Sequence, residues 1–217
     1  MNQSAISRKE IFMAKYNLYV EDVSIEAILN KLGGVEGARR FLRDELTLSE
    51  VVRSYRKEDG VIRFSVTSNG STGSDWIERL EQGGYNVGDY ARQVLLSPDF
   101  KPTKGVTTEI VVMKGSLFSN NDRITRNIRA EATKRKYVAP NPEVACLIRV
   151  MFTDKEIEQM GLWGIVVMHE NIKDSGGGPG LLCADRDGRG RWLNACYGDP
   201  DSGWSDGYGF AFAVLAS

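Results

Sequence analysis

Apolar residues recur at helical spacing through the first sixty residues. They stand at Val23, Ile28 and Leu32 before a pair of glycines, and a second run follows over residues 35–46. A spacing of three to four residues predicts helices that bury one face. We therefore expect residues 1–60 to form a helical N-terminal extension.

The pattern changes at the turn residues Asp59-Gly60. Residues 61–66 are apolar with polar interruptions, which predicts a strand entered through a tight turn. Residues 67–73 are rich in Ser, Thr and Gly and are expected to form a loop. Ser74 or Asp75 is expected to cap the helix that follows.

Helices and strands then alternate without a fixed period. Residues 107–113 predict a buried strand, and a helix around Ile128 carries Arg126 and Arg129 on a face expected to be solvated. Residues 143–151 predict another helix, and residues 163–168 an apolar strand. Mixed segments of this kind predict an α+β fold.

The last 44 residues, 174–217, differ in composition from the rest of the chain. They hold 10 of the 23 glycines and three strand-like segments, around Leu181, Trp192 and Phe210. They contain no Lys, Glu, Gln or Met, although the first 173 residues contain 36 of these. A region of turns and strands sheds such helix formers. Substitution at the adenines of Asn codons is the other explanation, because it yields Asp, Ser, Tyr, Gly, Cys, Arg or Ala but none of the missing residues.

Charge and cysteine content exclude several classes of protein. The 28 basic and 29 acidic residues leave no net field that would attract nucleic acid. The N-terminus lacks the apolar stretch of a signal peptide, and no segment is apolar enough to span a bilayer. We therefore expect a protein that is cytoplasmic as synthesised. Surface or secreted display stays open. Three cysteines are too few for a disulfide framework.

Few residues offer chemistry. The single histidine, His169, ends an apolar strand and is expected to be structural. Residues 185–190 resemble a calcium loop only superficially, because Arg189 stands where an oxygen ligand is needed. Residues 185–190 are instead expected to form a turn that connects two strands. Cys183 and Cys196 lie on either side of this turn and could face each other as a thiol pair for a metal or a redox step, but no histidine is near them in sequence. We expect no catalytic residue, no metal and no cofactor.

Several short segments together carry a family resemblance. They are residues 67–73 followed by Trp76-Ile77, then residues 142–149, 160–162, 168–170 and 191–193, and the ending 209–212. In these segments the chain resembles variable proteins of diversity-generating retroelements, in the group from archaea and candidate-phylum bacteria. The likeness extends from about residue 61 to the C-terminus.

The resemblance implies a fold and a function. Residues 61–217 would form a C-type-lectin-like domain of the formylglycine-generating-enzyme type, with short twisted strands at the C-terminus. Residues 181–210 would be the variable region, in which reverse transcription that miscopies adenines diversifies a ligand-binding surface. The ligand would be a protein or another macromolecule, and no catalysis is implied.

The resemblance also implies which tail residues vary. The implied ligand-binding positions are Cys183, Ala184, Asp185, Asp187, Asn194, Cys196, Tyr197, Asp199, Ser202, Gly203, Ser205, Asp206 and Tyr208. Tyr197 and Tyr208 would be the aromatic anchors. The implied scaffold is Trp192, Trp204, Phe210 and Phe212.

Two other functions stay open at this point. A copper oxidase of the formylglycine-generating type would use Cys183 and Cys196, although the active cysteines of that family lie closer in sequence. A lectin-like structural or phage-associated domain with one fixed partner would keep its tail invariant. Lectin-type calcium motifs are missing from the sequence, so sugar binding does not follow from the fold.

Overall fold

The computed structural model describes residues 32, 34–46, 55–187 and 190–215, without the side chain of Asp187. The chain divides into two compact units, Met1–Val52 and Arg53–Ser217. In the first unit helix α1 spans Gly34–Leu42, within the helical run predicted there. The helical pattern at Val23 and Ile28 lies outside the described residues.

The second unit contains the remaining described elements. Its strands are β1 Arg56–Glu58, β2 Val61–Asn69, β3 Asn86–Val87, β4 Lys104–Lys114, β5 Tyr137–Val138, β6 Gly164–Val167, β7 Ile172–Lys173, β8 Pro179–Asp187, β9 Gly190–Tyr197 and β10 Tyr208–Val214. Its helices are α2 Gly73–Gln82, α3 Asp89–Leu96, α4 Thr125–Lys134, α5 Val144–Met151 and α6 Asp154–Gln159.

These strands form one ten-stranded sheet. Its order is β1-β2-β4-β10-β6-β8-β9-β3, with β5 paired to β10 and β7 paired to β8 beside that path. Neighbours are antiparallel except β10 with β6 and β3 with β9. The predicted α+β class is confirmed as a mixed protein with a large open sheet. The C-type-lectin-like assignment stays a proposal.

The sheet begins with the hairpin that the sequence predicted. Asp59 and Gly60 have φ of 50° and 77°, which is the left-handed conformation that a two-residue hairpin turn requires. The turn pairs Glu58 with Val61 and Arg56 with Arg63. Strand β1 therefore belongs to the second unit, whose boundary precedes residue 61.

Helix α2 begins earlier than the sequence suggested. Strand β2 continues to Asn69, and Thr72 is the N-cap. Its side chain accepts a hydrogen bond from the Asp75 amide at 3.2 Å, and the Asp75 carboxylate accepts one from the Thr72 amide at 2.8 Å. The prediction of Ser74 or Asp75 as the cap was wrong, because Asp75 closes a capping box from inside the first turn.

The two faces of the sheet bury different side chains. One face packs against α2, α3 and α5, with Trp76 as the largest fully buried side chain. The other face packs against α4, where Ile128 and Ala132 share a cluster with Phe210 and Phe212. Strands β8, β9 and β10 contribute to both clusters, so the tail is part of the core as well as of the surface.

His169 is a structural residue, as predicted. It is fully buried, and its Nε2 accepts a hydrogen bond from the Leu182 amide at 2.9 Å. The ring proton must then sit on Nδ1, which donates to the Glu170 carbonyl at 2.6 Å. Burial lowers the pKa of His169 to about 4, against the usual 6.5.

Arg129 corrects the prediction of a solvated basic face on α4. Its guanidinium donates to the carbonyls of Met168 and His169 at 3.1 and 2.7 Å. Burial lowers its pKa. Arg126, one turn earlier, is exposed as expected. Among the described helices, none is long and apolar enough to cross a membrane.

Candidate ligand-binding surface

The tail residues meet on the hairpin of β8 and β9. Its register pairs Asp185 with Trp192 and Cys183 with Asn194, and Cys196 lies one pair further along. Side chains of a strand alternate between the two faces of a sheet, so these five point to the same side. We call this set the hairpin face.

Tyr208 joins the hairpin face because a glycine separates it from Asp185. Gly164 of β6 pairs with Tyr208 on one side and with Asp185 on the other. A Cβ on Gly164 would lie 2.3 Å from Asp185 Oδ1 and 3.1 Å from a ring carbon of Tyr208. Glycine therefore leaves the space into which these two side chains extend across β6.

Two thiols and a carboxylate cluster on the hairpin face. The Sγ atoms of Cys183 and Cys196 are 2.7 Å apart, and the Cys183 thiol donates to Asp185 Oδ2 at 3.2 Å. Asn194 Nδ2 donates to the same oxygen at 3.3 Å. The structure confirms that the two cysteines face each other across a hairpin.

Burial controls the protonation of this cluster. It raises the pKa of the Cys183 thiol well above the usual range, and the neighbouring Cys196 and Asp185 raise it further. Burial and the charge of Asp185 also raise the pKa of Tyr208. At neutral pH both groups keep their protons, so Cys183 acts as a hydrogen-bond donor rather than as a nucleophile.

The loop between β9 and β10 is anchored to the start of α4. The Thr125 amide donates to the Ser202 carbonyl, and the Arg126 amide donates to the Pro200 carbonyl. Helix N-terminal amides lack partners within the helix, so the loop carbonyls satisfy them. Arg126 also forms an ion pair with Asp201. The backbone of residues 198–207 is thus held in place while many of its side chains face solvent.

The implied scaffold residues differ in burial. Phe210 and Phe212 are buried in the centre of the sheet, and Trp192 is half-buried on the hairpin face. Trp204 is half-buried and donates its indole N–H to Thr125 Oγ1 at 3.0 Å. Its ring meets Phe210 edge-on at 5.6 Å between centroids.

The implied ligand-binding positions are mostly exposed or half-buried. Those in this state are Asp185, Asn194, Cys196, Tyr197, Asp199, Ser202, Gly203, Ser205, Asp206 and Tyr208. Cys183 and Ala184 are fully buried. The expectation that these two face solvent was wrong, because Cys183 is buried in the cluster that contains Phe210 and Ala184 packs into the cluster on the opposite face of the sheet. Asp187 lies in β8, and its side chain is outside the described part.

The two expected anchors do not share a face. Tyr208 lies beside Asp185, whereas Tyr197 is 59% exposed on the opposite side of the sheet. There it lines a groove of about 360 Å³ with Tyr90 of α3 and Pro179. The two tyrosines therefore belong to different surfaces, and the role of either as an anchor stays a prediction.

Sequence reasoning missed Trp163 as a surface residue, because it placed it at the start of an apolar strand. Strand β6 begins one residue later, and Trp163 is 67% exposed. Its amide donates to the Gly207 carbonyl at 2.7 Å, and a Cβ on Gly207 would lie 3.3 Å from its ring. Trp163 therefore covers the loop before Tyr208. The one sequence feature that could have indicated an exposed Trp163 is its position at the very start of the apolar segment.

Comparison with models of protein families, with curated proteins and with solved structures found no match.

Proposed function

We propose that the chain is a ligand-binding protein whose contact surface is diversified by retroelement-driven adenine mutagenesis. The contact surface comprises the exposed part of the hairpin face, Tyr208 and the loop 198–207. The ligand is a protein or another macromolecule, and the domain has a C-type-lectin-like fold. No catalytic step is part of this function.

One observation carries the proposal. The tail that lacks Lys, Glu, Gln and Met is also the segment that supplies a polar, partly exposed surface over buried aromatic residues. Asp185, Asn194 and Tyr208 lie on that surface, and Phe210 lies beneath it. A loop region avoiding helix formers also explains the missing residues and the abundance of glycine and aspartate there, so the partial exposure of this polar surface is what favours the proposal.

The chemistry of the surface suits recognition. Tyr supplies large contact area at little cost in conformational entropy, and Asn, Ser, Asp and Gly supply adaptable hydrogen bonds. The loop backbone is held by α4, and a fixed backbone lowers the entropy lost on binding. Exposed Trp163 adds an apolar contact at the border of the loop.

Two displayed libraries test the proposal. The first replaces Asp185, Asn194, Ser205, Asp206 and Tyr208 with the residues that adenine changes in Asn codons produce. A matched library makes the same replacements at five buried tail positions, Leu181, Leu182, Leu193, Phe210 and Phe212. Each is displayed on yeast as the full chain and treated with protease before selection on immobilised streptavidin.

The first library is expected to keep most members protease-resistant and to yield binders, because substitutions at exposed and half-buried positions cost less stability than substitutions in the core. The buried library is expected to lose resistance. A contact surface that tolerates replacement no better than the buried positions would contradict the proposal. Such a result would favour a domain with one fixed partner.

A further inference from the structure

The hairpin face brings together three side chains of kinds that bind metals. Among the described residues, the sulfurs of Cys183 and Cys196 and a carboxylate oxygen of Asp185 all lie within 4.8 Å of one another. Strand register places them there: Cys183 and Asp185 are two residues apart on β8, and Cys196 is on β9. Their side chains converge without any change in the backbone.

Register also bears on whether the two thiols form a disulfide. Cys183 is opposite Asn194, and Cys196 is opposite Leu181, so the cysteines are diagonal neighbours. Diagonal positions in an antiparallel pair are about 7–8 Å apart. A disulfide spans at most about 7 Å between Cα atoms without backbone movement. The sulfurs, 2.7 Å apart, are also farther apart than the length of a disulfide bond, about 2.05 Å. A metal ion bridges two sulfurs through two metal–sulfur bonds of about 2.3 Å and does not require the Cα spacing of a disulfide.

The three ligands also indicate which metal fits. Two thiolates favour soft or borderline cations, and a carboxylate shifts the preference from monovalent copper towards zinc. Tetrahedral zinc sites hold two sulfurs about 3.8 Å apart, given bonds of about 2.3 Å. The sulfurs here are 2.7 Å apart and would separate by rotation of the half-buried Cys196 side chain.

We propose that Cys183, Cys196 and Asp185 bind a zinc ion, with a fourth coordination position open towards the surface. Three protein ligands and one exchangeable position are the arrangement of zinc sites that accept a further ligand. Two protons leave the thiols as the two zinc–sulfur bonds form, and no electron is transferred. A water molecule, or an atom of a molecule bound at the hairpin face, would occupy this position.

This inference does not depend on the proposed function. Because Asp185 and Cys196 are among the positions that we propose to vary, the zinc site would be a property of this copy of the chain. Failure to bind zinc would leave the diversified surface unaffected. An invariant tail would likewise leave the zinc site unaffected.

Metal titration of the full chain tests the inference. The protein is purified in a phosphine reductant, stripped with a chelator and titrated with Zn²⁺ against a chromophoric chelator. It is titrated separately with Co²⁺, which reports sulfur ligation through charge-transfer absorption and tetrahedral geometry through intense visible bands. We expect one equivalent of each metal and a cobalt spectrum typical of a thiolate site.

Variants at the site and away from it complete the test. Cys196→Ser and Asp185→Asn should each weaken zinc binding at least about 10–100-fold, since even groups that only support a ligand contribute that much. Cys146→Ala is the matched control, because Cys146 is a buried thiol outside the cluster, and it should bind zinc normally. Thermal melting without metal establishes that each variant is folded.

Four results would overturn the inference, three from titrations and one from mass spectrometry. The titration results are a cobalt titration without thiolate absorption, zinc binding that Cys196→Ser leaves unchanged, and stoichiometric binding of Cu⁺ without binding of Zn²⁺. An intact mass two hydrogens lower in the presence of the reductant would also overturn it, because the thiols would then be a stable disulfide.

Discussion

Replacement of Phe210 by alanine tests the division between buried scaffold and exposed contact residues. Phe210 lies in the centre of β10, between Met113 of β4 and Val166 of β6, and is fully buried. Its ring meets Phe118 and Trp204 edge-on, at 6.5 and 5.6 Å between centroids. Alanine would remove both ring contacts and leave a cavity on the face of the sheet that packs against α4.

The structure sets the size of the effect. A buried aromatic side chain removes about 150–250 Å² from water, and about 25 cal/mol per Å² gives roughly 4–6 kcal/mol as an upper limit. Measured Phe→Ala changes in protein cores cost about 3–5 kcal/mol. We therefore expect Phe210→Ala to lower the free energy of unfolding by about 4 kcal/mol. Tyr197→Ala, at a residue 59% exposed, should change it by less than about 1 kcal/mol.

Urea unfolding of the full chain, followed by tryptophan fluorescence, measures both variants. All four tryptophans lie in the second unit, so the signal reports on the sheet. Phe210→Leu, which keeps most of the volume, should cost about 1.5 kcal/mol and covers the case in which the alanine variant does not fold. A cost below about 1 kcal/mol for Phe210→Ala, or one for Tyr197→Ala that equals it, would refute the division.

Three further predictions concern stability. Arg129→Ala should lower the free energy of unfolding in urea by about 1.5–3 kcal/mol, because two buried carbonyls lose a charged donor. Arg126→Ala should lower it by less than about 1 kcal/mol, because its ion pair is exposed. Equal costs would contradict the buried hydrogen bonds of Arg129. The free energy of unfolding should fall by about 3 kcal/mol between pH 6.5 and 4 through His169, because in this window the unfolded chain takes up a proton that the folded chain accepts only near pH 4. His169→Gln should remove that part of the fall, and an unchanged pH profile would contradict it. Thr72→Ala should lower the free energy of unfolding by about 1 kcal/mol and Thr72→Ser by much less, since serine restores the N-cap; equal losses in thermal melts would contradict the capping box.

Local chemistry made part of the fold predictable. Asp59-Gly60 predicted a turn because few residue pairs accept positive φ, and the hairpin of β1 and β2 follows from it. The strands around Leu181, Trp192 and Phe210 were predictable from their apolar pattern. These features depend on residues close together in the chain.

The order of strands depends on distant contacts and could not be predicted in this way. Strand β10 lies between β4 and β6, which precede it by many residues, and no local pattern specifies those partners. Whether a polar side chain is buried also depends on contacts between residues far apart in the chain. Arg129 looked solvated because its acceptors, the carbonyls of Met168 and His169, belong to another element.

The candidate site was predictable in composition and less so in geometry. Pairing of β8 with β9 was predictable from the turn expected between them, and it brings Cys183 and Cys196 together. Which side chains point to which face of the sheet could not be predicted, because a shift of one residue in register would exchange the two faces. Hence Cys183 and Ala184 were assigned to the surface although both are buried, and exposed Trp163 was assigned to the apolar strand that begins one residue later.

Sequencing of the DNA beside the gene tests the proposed function most directly. The proposal predicts a reverse transcriptase gene and a near-repeat of the sequence that encodes residues 181–210. The two repeats should differ almost only at adenines, in codons for half-buried or exposed residues such as Asp185, Asn194 and Ser205, with the codon for buried Phe210 unchanged. No reverse transcriptase and no near-repeat, or differences spread equally over exposed and buried codons, would contradict it.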